Sequence, residues 1–162
     1  MRVTNMNQSI LRTARPSDTR AILSLIGRYS AQGVMLPRTY AQVLERIRDY
    51  VVSVSPDGSL RGVAGLHPVA EDMAEIRSLA VEEGMTGKGL GRQLVQQCLQ
   101  DARGLGLKRV FALTYQTEFF TKMGFEKVEK LTLPQKIWGD CVHCAKFSDC
   151  DEVAVLKILG AP

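Results

Sequence analysis

A glycine-rich stretch in the middle of the chain has the composition of a phosphate-binding loop. Four glycines fall within residues 84–91, and apolar spacing after them predicts a helix to about residue 103. Glycines let the backbone approach a ligand and turn its N–H groups towards it, and a helix start adds unpaired donors. The sequence therefore predicts an anion site at the following consecutive residues: Thr86, Gly87, Lys88, Gly89, Leu90, Gly91 and Arg92.

This loop differs from both common nucleotide-binding motifs. No Gly-Lys-Ser/Thr sequence closes it, as in a Walker A loop, and no acidic residue follows at the distance of a dinucleotide fingerprint. A glycine-rich turn that only caps a helix would give the same pattern. The loop taken alone leaves both interpretations open.

The strand predicted just before the loop, residues 74–81, carries a candidate acid–base pair. Alternate residues of a strand share a face, which puts Glu75 and Arg77 on the same side. Glu75 is a candidate general base, acting directly or through water, and Arg77 a candidate partner for a substrate carboxylate. A solvated Glu–Arg pair on a sheet edge is the structural alternative.

Strands and helices alternate along the chain in a way that predicts one mixed α/β domain over residues 1–162, with residues 1–8 flexible. Residues 55–58 have the composition of a hairpin turn between two strands. The predicted strands are residues 10–14, 50–55, 60–68, 74–81, 109–114, 125–130 and 152–158. The predicted helices are residues 15–29, a segment after Thr39, the segment after the glycine loop, and residues 117–123.

Composition and charge limit the classes of partner. The net charge is +4 with scattered basic residues, which favours an anionic small molecule over nucleic acid. No apolar run approaches the roughly 20 residues of a membrane span, and the N-terminus lacks a signal-peptide core. We therefore expect a cytoplasmic protein that binds neither membranes nor nucleic acid.

Two motifs together resemble the GNAT superfamily of acetyl-CoA-dependent N-acetyltransferases. The glycine loop is similar to the family pattern Gln/Arg-x-x-Gly-x-Gly/Ala, with Thr86 at the first position, and residues 119–125 resemble a second signature. The resemblance implies an α/β (α+β) fold: a mixed, mostly antiparallel central sheet of about six to seven strands with helices on both faces. It also implies acetyl-CoA as co-substrate, contacted by the loop and by Leu79, Ala80, Val81 and Phe120.

Three further segments, residues 33–39, 74–81 and 107–114, are similar to amino-acid N-acetyltransferases of the N-acetylglutamate synthase type, and residues 138–152 resemble the short, single-domain form of these enzymes. Such proteins acetylate the α-amine of glutamate, the first step of arginine biosynthesis, and dimers are common among them. The resemblance places Arg38 near the substrate, and Gln116 and Thr117 at a strand end that contacts the substrate backbone.

The general acid has two alternatives within this resemblance. Many members carry a tyrosine near the aromatic pair that would protonate the leaving thiolate, and this chain has Phe119 and Phe120 there. Tyr115 is the candidate substitute. A CoA thiol is a fair leaving group, so a thiolate that leaves without an acid is the alternative.

A cysteine cluster lies in an irregular loop predicted over residues 134–151. The spacing of Cys141, Cys144 and Cys150, with His143, would suit three or four zinc ligands. A reduced cluster that orders the loop or lines the pocket would have the same spacing. Both interpretations stay open.

Three alternative functions fit parts of the sequence. An N-acetyltransferase for another amine, such as a different amino acid, a polyamine or a protein N-terminus, would share the glycine loop. A non-catalytic module that binds CoA or an amino acid would explain the missing tyrosine. A zinc-dependent nucleic-acid-binding protein would rest on the cysteines and the mild basicity alone.

Overall fold

The computed structural model describes residues 9–133 and 152–160, and this part of the chain contains seven strands and four α-helices. The strands are β1 (Ile10–Thr13), β2 (Tyr50–Val54), β3 (Leu60–Ala70), β4 (Met73–Val81), β5 (Arg109–Thr114), β6 (Glu126–Val128) and β7 (Val153–Ile158). The helices are α1 (Thr19–Ala31), α2 (Tyr40–Glu45), α3 (Leu90–Gly104) and α4 (Thr117–Thr121).

The strands form one seven-stranded mixed sheet in the order β1-β2-β3-β4-β5-β7-β6. The pairs β1–β2, β2–β3, β5–β7 and β6–β7 are antiparallel, whereas β4 and β5 are parallel. The parallel ladder joins Met73–Glu75 to Arg109–Phe111. The predicted fold class, a mixed and mostly antiparallel sheet of six to seven strands, is confirmed.

The chain divides into two compact units. The described residues of the first come from Met1–Leu66 and Ser78–Cys98, and those of the second from His67–Arg77 and Leu99–Pro162. Both β3 and β4 therefore contribute residues to each unit. The glycine loop belongs to the first unit, and the Glu75–Arg77 segment belongs to the second.

In the first unit, helices pack on both faces of the sheet. On one face α1 and α2 cover β2 and β3 with a cluster of buried apolar side chains. On the other face, a Cβ built on Gly62 would stand 2.8 Å from Leu94 Cδ1 of α3. Gly62 precedes the buried Val63, and neighbouring strand residues point to opposite faces. The cluster under α1 and α2 includes Ile22, Leu25, Ile26, Val43, Ile47, Tyr50, Val52 and Val63.

In the second unit, Phe111 is fully buried in an apolar cluster that also contains Met73 and Leu133. The part of α3 that belongs to this unit ends at Gly104, and Gly106 just beyond it has a φ of 78°. There the N–H of Leu107 donates to the carbonyl of Ala102 at 3.0 Å, the closing bond of a Schellman cap. The strand β5 that follows has the predicted bounds.

Several predicted boundaries differ from the structure by one or two residues, and the start of the first helix differs by four. The first helix starts at Thr19, because Pro16–Asp18 form a 3-10 turn capped by the bond from Arg15 N to the Asp18 carboxylate at 2.7 Å. The helix predicted to reach residue 123 ends at Thr121, because Gly124 turns the chain with a φ of 90°. The strand predicted over residues 125–130 stops at Val128, because Lys130–Thr132 form another 3-10 turn.

Two further expectations concern membrane-spanning helices and the segments 1–8 and 134–151. Among the described residues, no helix is both long and apolar enough to span a membrane. The predicted flexible segment 1–8 and the cysteine-containing loop 134–151 lie outside the described residues.

Candidate active site

The glycine loop of the first unit joins β4 to α3 as predicted. It includes a 3-10 turn at Glu83–Met85, and it ends where Gln93 N donates to Gly89 O at 3.1 Å to open α3. Gly87 and Gly89 have φ values of 77° and 81°, a region that residues with a Cβ rarely adopt. A Cβ at either glycine would meet nothing within 4 Å, so backbone conformation alone requires glycine there.

The loop's surroundings suit an anion. Lys88 and Arg92 are exposed at the loop and at the first turn of α3, while Leu90 is buried. The helix is 15 residues long, and its start leaves backbone N–H groups without intrahelical partners. Exposed N–H donors, two cations and the positive end of the helix dipole therefore lie within seven consecutive residues, 86–92.

The junction between β4 and this loop is held by side chains that the sequence did not single out. The Tyr29 hydroxyl donates to the Val81 carbonyl. At the next residue, Arg61 Nη1 donates to the Glu82 carboxylate at 2.5 Å. That hydrogen bond raises the pKa of the Arg61 guanidinium. No local pattern could have revealed these contacts, because the partners lie 52 and 21 residues apart.

Ser78 was also missed. It lies within β4 yet has a φ of 57°. No other non-glycine residue in the described part of the chain has a positive φ. Ser78 is also buried. Serine carries no sequence signal for such a conformation, whereas a glycine would have suggested one. A local change in strand geometry of this kind is typical of functional sites.

Burial alternates along β4, in keeping with the predicted shared face of Glu75 and Arg77. Glu75, Arg77, Leu79 and Val81 are half-buried, whereas the intervening side chains are buried. Among the latter, Ala80 packs into the core of the first unit. In the second unit, Glu75 stands opposite Phe111 in the parallel ladder.

Arg38 lies in the first unit, in the segment between α1 and α2. The following residue, Thr39, caps α2 through a capping box: its Oγ1 accepts from Gln42 N at 3.2 Å, and its N–H donates to Gln42 Oε1 at 2.9 Å. This cap fixes the backbone beside Arg38. The Arg38 side chain is half-buried, and its Nε atom is fully buried.

The remaining predicted site residues follow β5 in the second unit. Tyr115 and Thr117 are half-buried, and Gln116 is exposed. Thr114 Oγ1 accepts the Gln116 N–H at 2.7 Å, which turns the chain into α4. On that helix Phe120 is buried in edge-to-face contact with Phe119 and Phe125, each with ring centroids 5.1 Å away.

The predicted zinc ligands Cys141, Cys144 and Cys150 lie outside the described residues. Within residues 9–133 and 152–160, no group of three or more His, Cys, Asp or Glu side chains is arranged to hold a metal. Cys98, on α3, is buried.

Sequence comparison identifies relatives along most of the chain. An uncharacterized N-acetyltransferase from Chlorobaculum tepidum is 40% identical over 149 residues, which cover 92% of this chain and 96% of that protein. An amino-acid acetyltransferase from Mycobacterium tuberculosis is 36% identical over 158 residues, 93% of this chain and 90% of the relative. This chain therefore resembles short, single-chain acetyltransferases at nearly full length.

Structural comparison gives the same grouping. N-acetylglutamate synthase from Neisseria gonorrhoeae, solved with coenzyme A and N-acetyl-glutamate, superposes with a TM-score of 0.85 and 28% identity. The match covers 95% of this chain and 36% of that longer chain. The sequence profile of the acetyltransferase (GNAT) family matches residues 19–125. The chain belongs to the acetyltransferase (GNAT) family and is an acyltransferase.

Proposed function

We propose that this protein transfers the acetyl group of acetyl-CoA to the α-amine of an amino acid, and that the amino acid is L-glutamate. The observation that carries the proposal is the glycine loop, whose two positive-φ glycines lead into α3. The M. tuberculosis relative's name, amino-acid acetyltransferase, supports the acceptor class. The N-acetyl-glutamate complex of the Neisseria enzyme supports glutamate.

In this proposal, the first unit holds acetyl-CoA. Backbone N–H groups of residues 86–91 bind the pyrophosphate, and Lys88 and Arg92 add positive charge. The backbone of residues 79–81 receives the pantetheine arm, and Phe120 is assigned as a further cofactor contact.

The chemical step needs a neutral amine, a polarised thioester and a destination for one proton. The amine nitrogen forms a bond to the thioester carbon, and its proton passes to Glu75, directly or through water. Collapse of the tetrahedral intermediate breaks the carbon–sulfur bond and releases the CoA thiolate. Tyr115 donates a proton to that sulfur and regains one from solvent.

Arginine side chains would select an acidic acceptor. A guanidinium binds a carboxylate through two parallel hydrogen bonds, and glutamate offers two carboxylates. We assign these contacts to Arg38 and Arg77, and contacts with the amino-acid backbone to Gln116 and Thr117. Acetylation of glutamate would make this protein the first enzyme of arginine biosynthesis, acting as a single domain in the cytoplasm and as a homodimer.

A thiol-release assay with acetyl-CoA tests the proposal. We expect turnover with glutamate, weaker turnover with glutamine and aspartate, and none with glutamate whose α-amine is already acetylated. Turnover of another amino acid in preference to glutamate would mean that glutamate is not the acceptor, while the proposed acetyl transfer would stand. Absence of turnover with every amino acid, despite CoA binding, would overturn the amino-acid acceptor.

A further inference from the structure

The two ends of the glycine loop meet neighbouring residues of one strand, β3. At the start of the loop, Glu82 N donates to Arg61 O at 2.9 Å, and the Glu82 carboxylate accepts from the Arg61 guanidinium. At the end of the loop, Leu90 and Leu94 pack against Gly62, with Cδ atoms 3.4 Å and 2.8 Å from the position of a built Cβ. Arg61 and Gly62, adjacent in β3, therefore contact the two ends of the loop.

The start of the loop has two further supports. Arg61 Nε donates to Ser55 Oγ at 2.7 Å, so both ends of the guanidinium are engaged. Tyr29, reaching from α1, donates its hydroxyl to the carbonyl of Val81, the last residue of β4. Two successive residues, Val81 and Glu82, are thus fixed by two different elements of the first unit.

The loop itself has little packing of its own. A Cβ built on Gly84, Gly87 or Gly89 would meet no atom within 4 Å. Glycine is the most flexible residue, so such a segment keeps one conformation only if its ends are fixed. A loop held in its binding conformation binds more tightly, because less ordering is required when the ligand arrives.

We propose that Tyr29 and Arg61 are positioning residues for the acetyl-CoA loop: they fix the Val81–Glu82 junction so that the loop N–H groups face the pyrophosphate. This inference rests on the proposed use of acetyl-CoA. The Arg61–Glu82 pair is part-exposed, with side-chain exposures of 30% and 29%, so its contribution to global stability is expected to be small. Its effect should fall on cofactor affinity instead.

Y29F and R61Q test the inference against R12Q as a matched control. R12Q also removes an arginine–carboxylate pair of the first unit, Arg12–Asp18 at 2.7 Å, but one that does not touch the loop. For Y29F and R61Q we expect the KM for acetyl-CoA and the Kd for CoA to rise roughly tenfold, because each variant loses a side-chain hydrogen bond to the Val81–Glu82 junction. The acceptor KM and kcat should stay within about twofold of wild type, because the lost hydrogen bonds act on cofactor binding and not on the acceptor.

Rescue and melting measurements separate positioning from a general loss of structure. R61K keeps a cation beside Glu82 and should recover part of the lost CoA affinity, with Tm values of all variants measured in parallel. An unchanged acetyl-CoA KM in both Y29F and R61Q, or an equal rise in R12Q, would overturn the inference. If wild-type protein binds no CoA, the proposed function itself fails; if it turns over and the variants behave like it, only this inference fails.

Discussion

At the scale of single residues, Gly87 is required for its backbone conformation and not for lack of space. Its φ is 77°, and a Cβ there would meet nothing within 4 Å. We expect G87A to raise the KM for acetyl-CoA about tenfold, because a Cβ at this φ costs roughly 1–2 kcal/mol and shifts the loop. Steady-state kinetics with acetyl-CoA varied will measure the change.

Gly84 provides the control for this substitution. It lies in the same connection, has equally open surroundings, and its φ is outside the left-handed region. G84A should therefore leave the acetyl-CoA KM within about twofold of wild type, since a conformationally compatible Gly→Ala change is nearly neutral or mildly stabilising. Similar effects of G84A and G87A would contradict the role given to the positive φ.

Arg38 is the residue on which acceptor selection can be tested separately from cofactor binding. We expect R38Q to raise the KM for glutamate roughly 10- to 100-fold, as expected when a charge-assisted hydrogen bond is lost, with the acetyl-CoA KM unchanged. Arg28, exposed on α1, supplies the control R28Q. A glutamate KM that does not move in R38Q would remove Arg38 from the substrate site.

At the scale of elements, the unusual conformation within β4 predicts that glycine is more stable than alanine at one strand position, the reverse of the usual order. Ser78 has a φ of 57°, so S78G should be more stable than S78A by about 1 kcal/mol. At Ser53, buried in β2 without a positive φ, S53G should be less stable than S53A by about 0.5–1 kcal/mol. Urea unfolding of the four variants measures both differences, and the same sign at both positions would contradict the assigned backbone.

The start of α1 carries a pH-dependent contribution to stability. Hydrogen bonds from Arg12 at 2.7 and 3.0 Å, opposed by burial and assisted by the Arg15 N–H, hold the pKa of Asp18 below its usual value. A carboxylate with a depressed folded-state pKa stabilises the fold above its unfolded pKa of about 3.9 and loses that contribution as the pH falls through the folded pKa.

Substitution of Asp18 should reveal this contribution. We expect D18N to lower the free energy of unfolding by about 1–2 kcal/mol at pH 7. The difference from wild type should shrink below about pH 4. Urea unfolding from pH 7 to pH 3 measures it. A difference that is constant over this range would mean that the Arg12–Asp18 pair does not titrate with folding.

The elements themselves were largely predictable because local chemistry determines them. The bounds of β5 follow from a short apolar run, and the start of α2 follows from the cap at Thr39. The errors fall at element ends such as Thr121 and Val128, where 3-10 turns and a left-handed glycine compete with the longer element. These ends depend on a few hydrogen bonds that no periodicity reveals.

At the scale of the whole molecule, the sequence predicted the position of the glycine loop but not what holds that loop in place. The glycine pattern is local, so it was visible. The contacts of Tyr29 with Val81, and of Arg61 with Glu82, join elements distant in the chain, and the folded structure was needed to find them. The same holds for Ser78, whose conformation depends on the sheet around it.

The most direct test of the central claim is to identify the product formed from a mixture. The protein is incubated with isotope-labelled acetyl-CoA and the twenty amino acids at equal concentration, and acetylated products are identified by mass spectrometry. Our account predicts labelled N-acetylglutamate as the main product, and about tenfold less of it from G87A at low acetyl-CoA. Label in no amino acid, or mainly in one without a side-chain carboxylate, would contradict the account.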